Sequence, residues 1–155
     1  MPNYSTTYVF DDKKIQELLP EYQQEGDPGD GDFSLIGKHF CGLFIDSGLK
    51  PEHSVLDVGC SVGHNAIPLT QYLKGKYEGF DVVKPSVDIA NNLLSKFKNF
   101  NFKHADIYNG AYNPTGKINP LEFKFPYENN SFNFVHLISV FTHMLSDDVE
   151  HKGLV

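Results

Sequence analysis

The sequence predicts an α/β chain built on a parallel sheet, and three observations carry that prediction. From residue 54 onward, short aliphatic runs alternate with segments whose apolar residues recur at helical spacing. Glycine or proline punctuates the turns between them. Each of the first three apolar runs ends on or beside an acid, at Asp57, Asp81 and Asp106. Strands that alternate with helices imply right-handed crossovers and a parallel sheet. A length of 155 residues with 40% hydrophobic content suits one globular domain with a sizeable core.

The elements follow in order. Asp11 to Leu19 reads as a short helix with Ile15, Leu18 and Leu19 on one side, stopped by Pro20. Residues 25–31 are a loop on composition. Asp32 is a suitable N-cap for a firm helix whose Phe33, Ile36, Phe40, Leu43 and Phe44 are expected to share a buried face, with Gly48 at its stop. Strand one spans 54–58, and a helix over 64–74 presents Ala66, Leu69, Thr70 and Leu73, with Pro68 near its first turn. Strand two spans 77–82; a helix over 85–97 begins at Pro85 and buries Ile89, Ala90, Leu93 and Phe97. Strand three, 100–105, alternates Phe100 and Phe102 with Asn101 and Lys103, the pattern of an edge. A long loop runs from Asp106 to about Phe125. Strand four, 132–139, is nearly continuous in apolar content and is expected to be covered on both faces. Ser146, Asp147 and Asp148 open a final helix.

Composition excludes several classes. The net charge of −7, 13 scattered lysines and the lack of arginine argue against a broad nucleic-acid face. No apolar stretch approaches the length of a bilayer span, and residues 1–20 do not read as a signal peptide. Cys41 and Cys60 form no CxxC and no disulfide framework, so the expected compartment is the reducing cytoplasm. The seven histidines show neither HxxxH nor HExxH spacing, so no metal site is expected.

In parallel sheets, ligands sit at the carboxyl ends of the strands near the point where strand order reverses. The turn Gly59-Cys60-Ser61-Val62-Gly63 lies at that edge, where glycine lets the backbone turn tightly and approach a ligand closely. Asp81, eighteen residues beyond Gly63, is positioned to accept hydrogen bonds from both hydroxyls of a ribose. Asp57 discriminates between ligands. A carboxylate ~4 Å from a pyrophosphate charge costs roughly 4 kcal/mol at an effective dielectric near 20, whereas an ammonium or sulfonium is attracted. The dinucleotide pattern GxGxxG is also missing from this turn.

These residues carry a resemblance. Val55-Leu-Asp-Val-Gly-Cys-Ser-Val-Gly63 resembles the first motif of class I S-adenosylmethionine-dependent methyltransferases, and Gly79-Phe-Asp-Val-Val83 resembles the second. Ala105-Asp106-Ile107 is similar to the family's acid after strand three, and 125–135 with 140–143 to its fourth-strand region. The resemblance implies a Rossmann-like parallel sheet flanked by helices as a three-layer sandwich, with S-adenosylmethionine as cofactor. It implies that Asp57 and the turn through Gly59, Cys60, Ser61 and Gly63 hold the methionine moiety. Asp81 would bind the ribose with Val82 against the adenine, and Asp106 would accept from the adenine amino group beside Ile107. Ile138 and Ser139 would close the methionine end. His143 is a candidate base, weighed against an ordinary packing histidine near a helix start. Tyr108, Tyr112, Asn113 and Lys117 are weighed as a substrate lid against a plain surface loop. Ser61 stands at a usual glycine position and Asn133 where the family has Asp, the latter expected to be structural.

The family sheet has seven strands, and this sequence supplies four. The expected organisation is therefore an N-terminal extension with a short helix, 1–32, and an incomplete methyltransferase domain, 33–155, whose sheet stops after strand four. A short form completed by a second copy or a partner chain along the strand-four edge stays open. The expected activity is methyl transfer to a small-molecule or sugar- or lipid-linked acceptor. The alternatives are a dinucleotide-binding oxidoreductase fragment and a non-catalytic module that binds the cofactor or a partner.

Overall fold

Val55, Leu56, Asp57 and Val58 are all buried, which is the mark of a central parallel strand covered on both faces. The computed structural model describes residues 8–19, 33–138 and 140. In chain order the elements are α1 (Asp12–Gln16), α2 (Phe33–Asp46), β1 (Val55–Val58), α3 (Ala66–Leu69), β2 (Tyr77–Asp81), α4 (Lys84–Leu93), β3 (Phe100–His104) and β4 (Phe134–Leu137). The strands form one parallel sheet in the order β3-β2-β1-β4. This is a Rossmann-like sheet with flanking helices.

Strand alternation divides the core in two. Val55, Tyr77, Phe100 and Phe102 face a large cluster shared with Ile15 of α1, Cys41 and Phe44 of α2, Ile67 and Leu69 of α3, and Val87 and Ala90 of α4. All four described helices therefore pack into one cluster. Leu56, Val58 and Phe80 face the other side, where the β3–β4 connection supplies Ile107, Phe123, Tyr127 and Phe132. Among the described residues this face is covered by an aromatic loop. Phe123 and Phe125 pack on Phe80 with ring centroids 5.7 and 5.3 Å away. The buried Glu78 carboxylate draws Lys76 and Lys103 to 3.2 and 3.4 Å, and Lys103 also lies over the Tyr127 ring. This ties the loop to β2 and β3.

Several local expectations hold. The first helix is present where expected but shorter, Asp12–Gln16 rather than Asp11–Leu19, and Asp11 is its N-cap, the carboxylate accepting from the Lys13 and Lys14 amides. Gly48, at φ +103°, ends α2 in a Schellman pattern, with Leu49 N–H donating to Phe44 O and Gly48 N–H to Ile45 O. Asn133 is structural, as expected: its side chain accepts from the Ser54 amide at 2.8 Å and aligns the start of β4 with β1. β3 is an edge strand, with Phe100 and Phe102 buried and Asn101 and Lys103 exposed.

Other expectations are corrected. The buried stripe of α2 is Gly37, Cys41 and Phe44, while Ile36 and Leu43 are 39% and 44% exposed. Small residues form the contact because α2 crosses the backbone after β1 too closely for large ones: a Cβ on Gly37 would stand 2.6 Å from His64 O. The helix expected over 64–74 shortens to Ala66–Leu69 and continues as turns to Leu73, which stays buried. α4 ends at Leu93, and its most buried residues are Val87 and Ala90, with Leu94 just beyond, rather than Ile89, Leu93 and Phe97. β4 spans only Phe134–Leu137, and Val135 is 50% exposed, so this strand is not covered on both faces among the described residues. Asp32 as a cap, the side chain of Phe33 and the helix from Ser146 lie outside the described residues.

Gly79 is where β2 admits the turn that follows β1. A Cβ there would meet Cys60 Cβ at 2.8 Å and Phe102 Cδ1 at 2.9 Å. Gly79→Ala is expected to lower unfolding stability by about 1–3 kcal/mol, the usual range for overpacking, and urea denaturation reads the change directly.

Candidate functional site

The chain leaves β1 for β2 and β3 on one side and returns as β4 on the other, so the carboxyl ends of β1 and β4 flank the reversal in strand order. The segment after β1 bends there through three left-handed residues, Gly59 (φ +81°), Ser61 (φ +49°) and Gly63 (φ +86°). Ser61 thus adopts the conformation for which glycine is the usual residue. The amides of Gly59 and Cys60 both donate to Phe80 O, which ties the turn to the end of β2, and Gly63 N–H donates back to Cys60 O. A Cβ on Gly59 would stand 2.5 Å from Val140 Cγ2, so the chain beyond β4 presses on this turn. On its other flank, Cys41 Sγ donates to Asn65 O at 3.0 Å.

Asp81 terminates β2 and is held by backbone. Its Oδ2 accepts from the Ser61 amide and its Oδ1 from the Val83 amide, both at 2.8 Å. A carboxylate has about four acceptor directions, so each oxygen retains capacity for another donor. Val82 follows, half-buried, and its carbonyl oxygen lies 3.2 Å from His104 Nε2. Asp106 and Ile107 lie beyond β3, also half-buried. The Asn113 side chain donates to Asp106 Oδ1 at 3.3 Å and to Ile107 O at 3.0 Å, while Asp106 O accepts from the Lys117 and Ile118 amides. The loop carrying Tyr108 and Tyr112 is therefore folded back on Asp106, with both rings exposed.

Asp57 differs from its expected setting. It is 1% exposed, beneath the turn, on the helix-covered face of the sheet. Its Oδ2 accepts from the Tyr77 hydroxyl at 2.6 Å, and its Oδ1 has no hydrogen-bond partner. His136, its register partner on β4, brings Nδ1 to 3.4 Å from that oxygen. Neither His136 ring nitrogen has a hydrogen-bond partner, and the ring stacks on Phe44 at 4.4 Å. Burial lowers the His136 pKa, against the upward pull of Asp57, so the imidazole is neutral at pH 7. Burial likewise lowers His64, in the segment after the turn, again opposed by Asp57 and reinforced by His136. The Tyr77 hydroxyl is driven up, first by burial and then by Asp57, and stays a donor.

Of the residues singled out in sequence, Gly59, Ser61, Gly63, Asp81 and Val82 converge at the edge after β1 and β2, with Asp106 and Ile107 beside them after β3. Cys60 is 1% exposed and its thiol is pushed up chiefly by burial, as befits a packing residue. Ile138 packs against the main core. Ser139 and His143 lie outside the described residues. Sequence reasoning missed Tyr77, His104 and His136, and it weighed Asn113 as part of a lid rather than as a partner of Asp106. His136 carried a readable signal: a histidine inside the apolar run Phe134-Val-His-Leu-Ile138 calls for a buried polar neighbour.

A family model described as a methyltransferase domain matches residues 11–150. Among solved structures, the PH0226 protein from Pyrococcus horikoshii OT3 aligns at a TM-score of 0.60 and 17% identity, covering 88% of this chain and 59% of its own. Phosphoethanolamine N-methyltransferase 1 from Haemonchus contortus, solved with phosphoethanolamine and S-adenosylhomocysteine, aligns at 0.56 and 10% identity over 83% of this chain and 25% of its own. Magnesium protoporphyrin IX methyltransferase from Synechocystis PCC 6803, solved with bound S-adenosylmethionine, aligns at 0.55 and 17% identity over 86% and 56%. The chain thus spans less than two thirds of the length of each, and these likenesses concern the fold.

The two depressed histidines set a pH dependence. Both bind a proton less readily in the folded than in the unfolded chain, whose value is near 6.5. Their contribution is complete above that value and is lost as pH falls through the folded values. The melting temperature should accordingly drop on acidification below pH ~6.5, and His136→Gln should flatten the slope in a calorimetric pH series.

Proposed function

Because the chain belongs to the methyltransferase-domain family, we propose that it binds S-adenosylmethionine at the carboxyl edge of its sheet and directs methyl transfer to a small-molecule or sugar- or lipid-linked acceptor. The observation that carries this reading is Asp81, held by two backbone amides beside a turn with three left-handed residues. Such a carboxylate keeps its geometry when a diol arrives, so little ordering cost falls on binding.

The donor set fits the cofactor. Asp81 would take the ribose hydroxyls, Val82 would lie against the adenine, and Asp106 with the Ile107 backbone would meet its amino edge. The Gly59–Gly63 turn would lie along the methionine moiety, with Ile138 and Ser139 at its end. Asp57 favours a cationic ligand by its field from below the turn, its Oδ1 being buried without a hydrogen-bond partner. The same charge disfavours a pyrophosphate, and with it the dinucleotide alternative. When bound, the cofactor supplies a methyl group activated by a sulfonium. The protein's part is to align donor and acceptor and to exclude water, and His143 is the proposed proton acceptor.

Support for a small acceptor comes from the net charge of −7 and from the porphyrin and phosphoethanolamine substrates named for two structural neighbours. A second copy or a partner chain along β4 belongs to the same proposal, because Val135 is exposed there. No helix among the described residues is long and apolar enough to cross a membrane. Cytoplasmic residence is proposed on the two buried free thiols, Cys41 and Cys60.

Calorimetric titration with S-adenosylhomocysteine tests the site without knowledge of the acceptor. Saturable binding is expected, and Asp81→Ala should weaken it by about 1.5–3 kcal/mol, the scale of hydrogen bonds to a charged group. Equal affinity in the variant would remove Asp81 from the site.

A further inference from the structure

The geometry points to His136 as a specificity-determining residue that acts through Asp57: its charge state decides whether the site favours a cationic adenosyl ligand over a neutral one. This rests on the cofactor reading above and goes beyond it, because His136 lies beneath the turn rather than on its ligand side.

The observations are geometric. Asp57 has two oxygens and two buried neighbours. Tyr77, reaching from β2, occupies Oδ2. Oδ1 has no hydrogen-bond partner and faces His136 Nδ1 at 3.4 Å. The imidazole and the carboxylate are both almost wholly buried, 5% and 1% exposed, so water screens their interaction little. With His136 neutral, the Asp57 charge is offset among the described residues by the Tyr77 hydroxyl dipole, and its field extends to the turn above. With His136 protonated, an adjacent positive charge cancels that field. The proton and a cationic ligand therefore compete for one buried carboxylate, and by linkage each weakens the other equally.

Among the described residues around the pair, His64 also feels Asp57 and can take up a proton on acidification, so the comparison with His136→Gln separates the two. β1 contributes Asp57, β2 the Tyr77 hydroxyl, α2 the Phe44 ring and the Cys41 thiol, and the segment after the turn His64. Burial lowers both histidines and raises the tyrosine and the thiol, so all four stay uncharged at neutral pH.

The test compares S-adenosylmethionine with adenosine by calorimetry between pH 8 and 5, in the wild type and in His136→Gln. The expected result is that acid weakens S-adenosylmethionine binding, by at most about tenfold per pH unit below the His136 midpoint, while adenosine binding holds. The variant should lose this divergence. Histidine-ring NMR of the wild type supplies a readout that needs no variant: saturating S-adenosylmethionine should lower the midpoint of the ring stacked on Phe44, and adenosine should leave it in place. Parallel weakening of both ligands, a divergence that survives in His136→Gln, or an unmoved midpoint would each overturn the role of His136 while leaving the cofactor site intact. Failure of S-adenosylmethionine to bind at any pH would instead refute the cofactor reading itself.

Discussion

The backbone turn between Val58 and Asn65 is the constraint to which the neighbouring elements conform. It requires three left-handed residues within five positions, Gly59, Ser61 and Gly63, and it must be approached from several directions at once. β2 meets it through Gly79, where a side chain would strike Cys60, and α2 crosses its far end through Gly37, where one would strike His64 O. Phe80 O receives two of its amides and Asp81 a third. Backbone groups that form no ladder must find partners elsewhere, and here the end of β2 supplies them. The site is rigid because the same bonds that close the turn also orient Asp81.

Beneath this turn lies a buried carboxylate that no cation among the described residues neutralises at neutral pH. A buried carboxylate is costly unless it is paired or well hydrogen-bonded. Asp57 receives one strong bond from Tyr77 and faces a neutral His136 across the strand pair. An incompletely compensated group of this kind lowers stability and is commonly found where a ligand completes the arrangement. Glu78, on the opposite face, shows the contrast: two lysines lie within 3.4 Å of its carboxylate, and it serves to fasten the β3–β4 loop.

Much of the architecture was legible because it depends on local periodicity. Alternating runs and glycine turns indicated a parallel sheet, and all four strands appear where their apolar runs fall, within a few residues. The errors share a cause. Ile36 and Leu43 have apolar side chains at helical spacing, yet they point outward because α2 needs Gly37 and Cys41 at its contact. Hydrophobicity predicts which face is buried only when side-chain volume, rather than closeness of backbones, sets the interface. β4 was misjudged for a related reason: a continuous apolar run says that a strand has two apolar faces, not that both are covered.

For the candidate site, the sequence by itself determined which residues stand at the turn and at the strand ends: the glycines of the turn, Asp81, Asp106 and the order in which they meet. Turn chemistry and strand periodicity are local, so a linear reading recovers them. Only the tertiary structure decided what stands next to what across strands. Tyr77 lies twenty residues after Asp57 in the chain and His136 much farther on, and parallel register brings all three together on one face. That register also sent Asp57 beneath the turn instead of into the open crevice, because side chains alternate along β1 and the position of Val55 in the main core commits Asp57 to the same side.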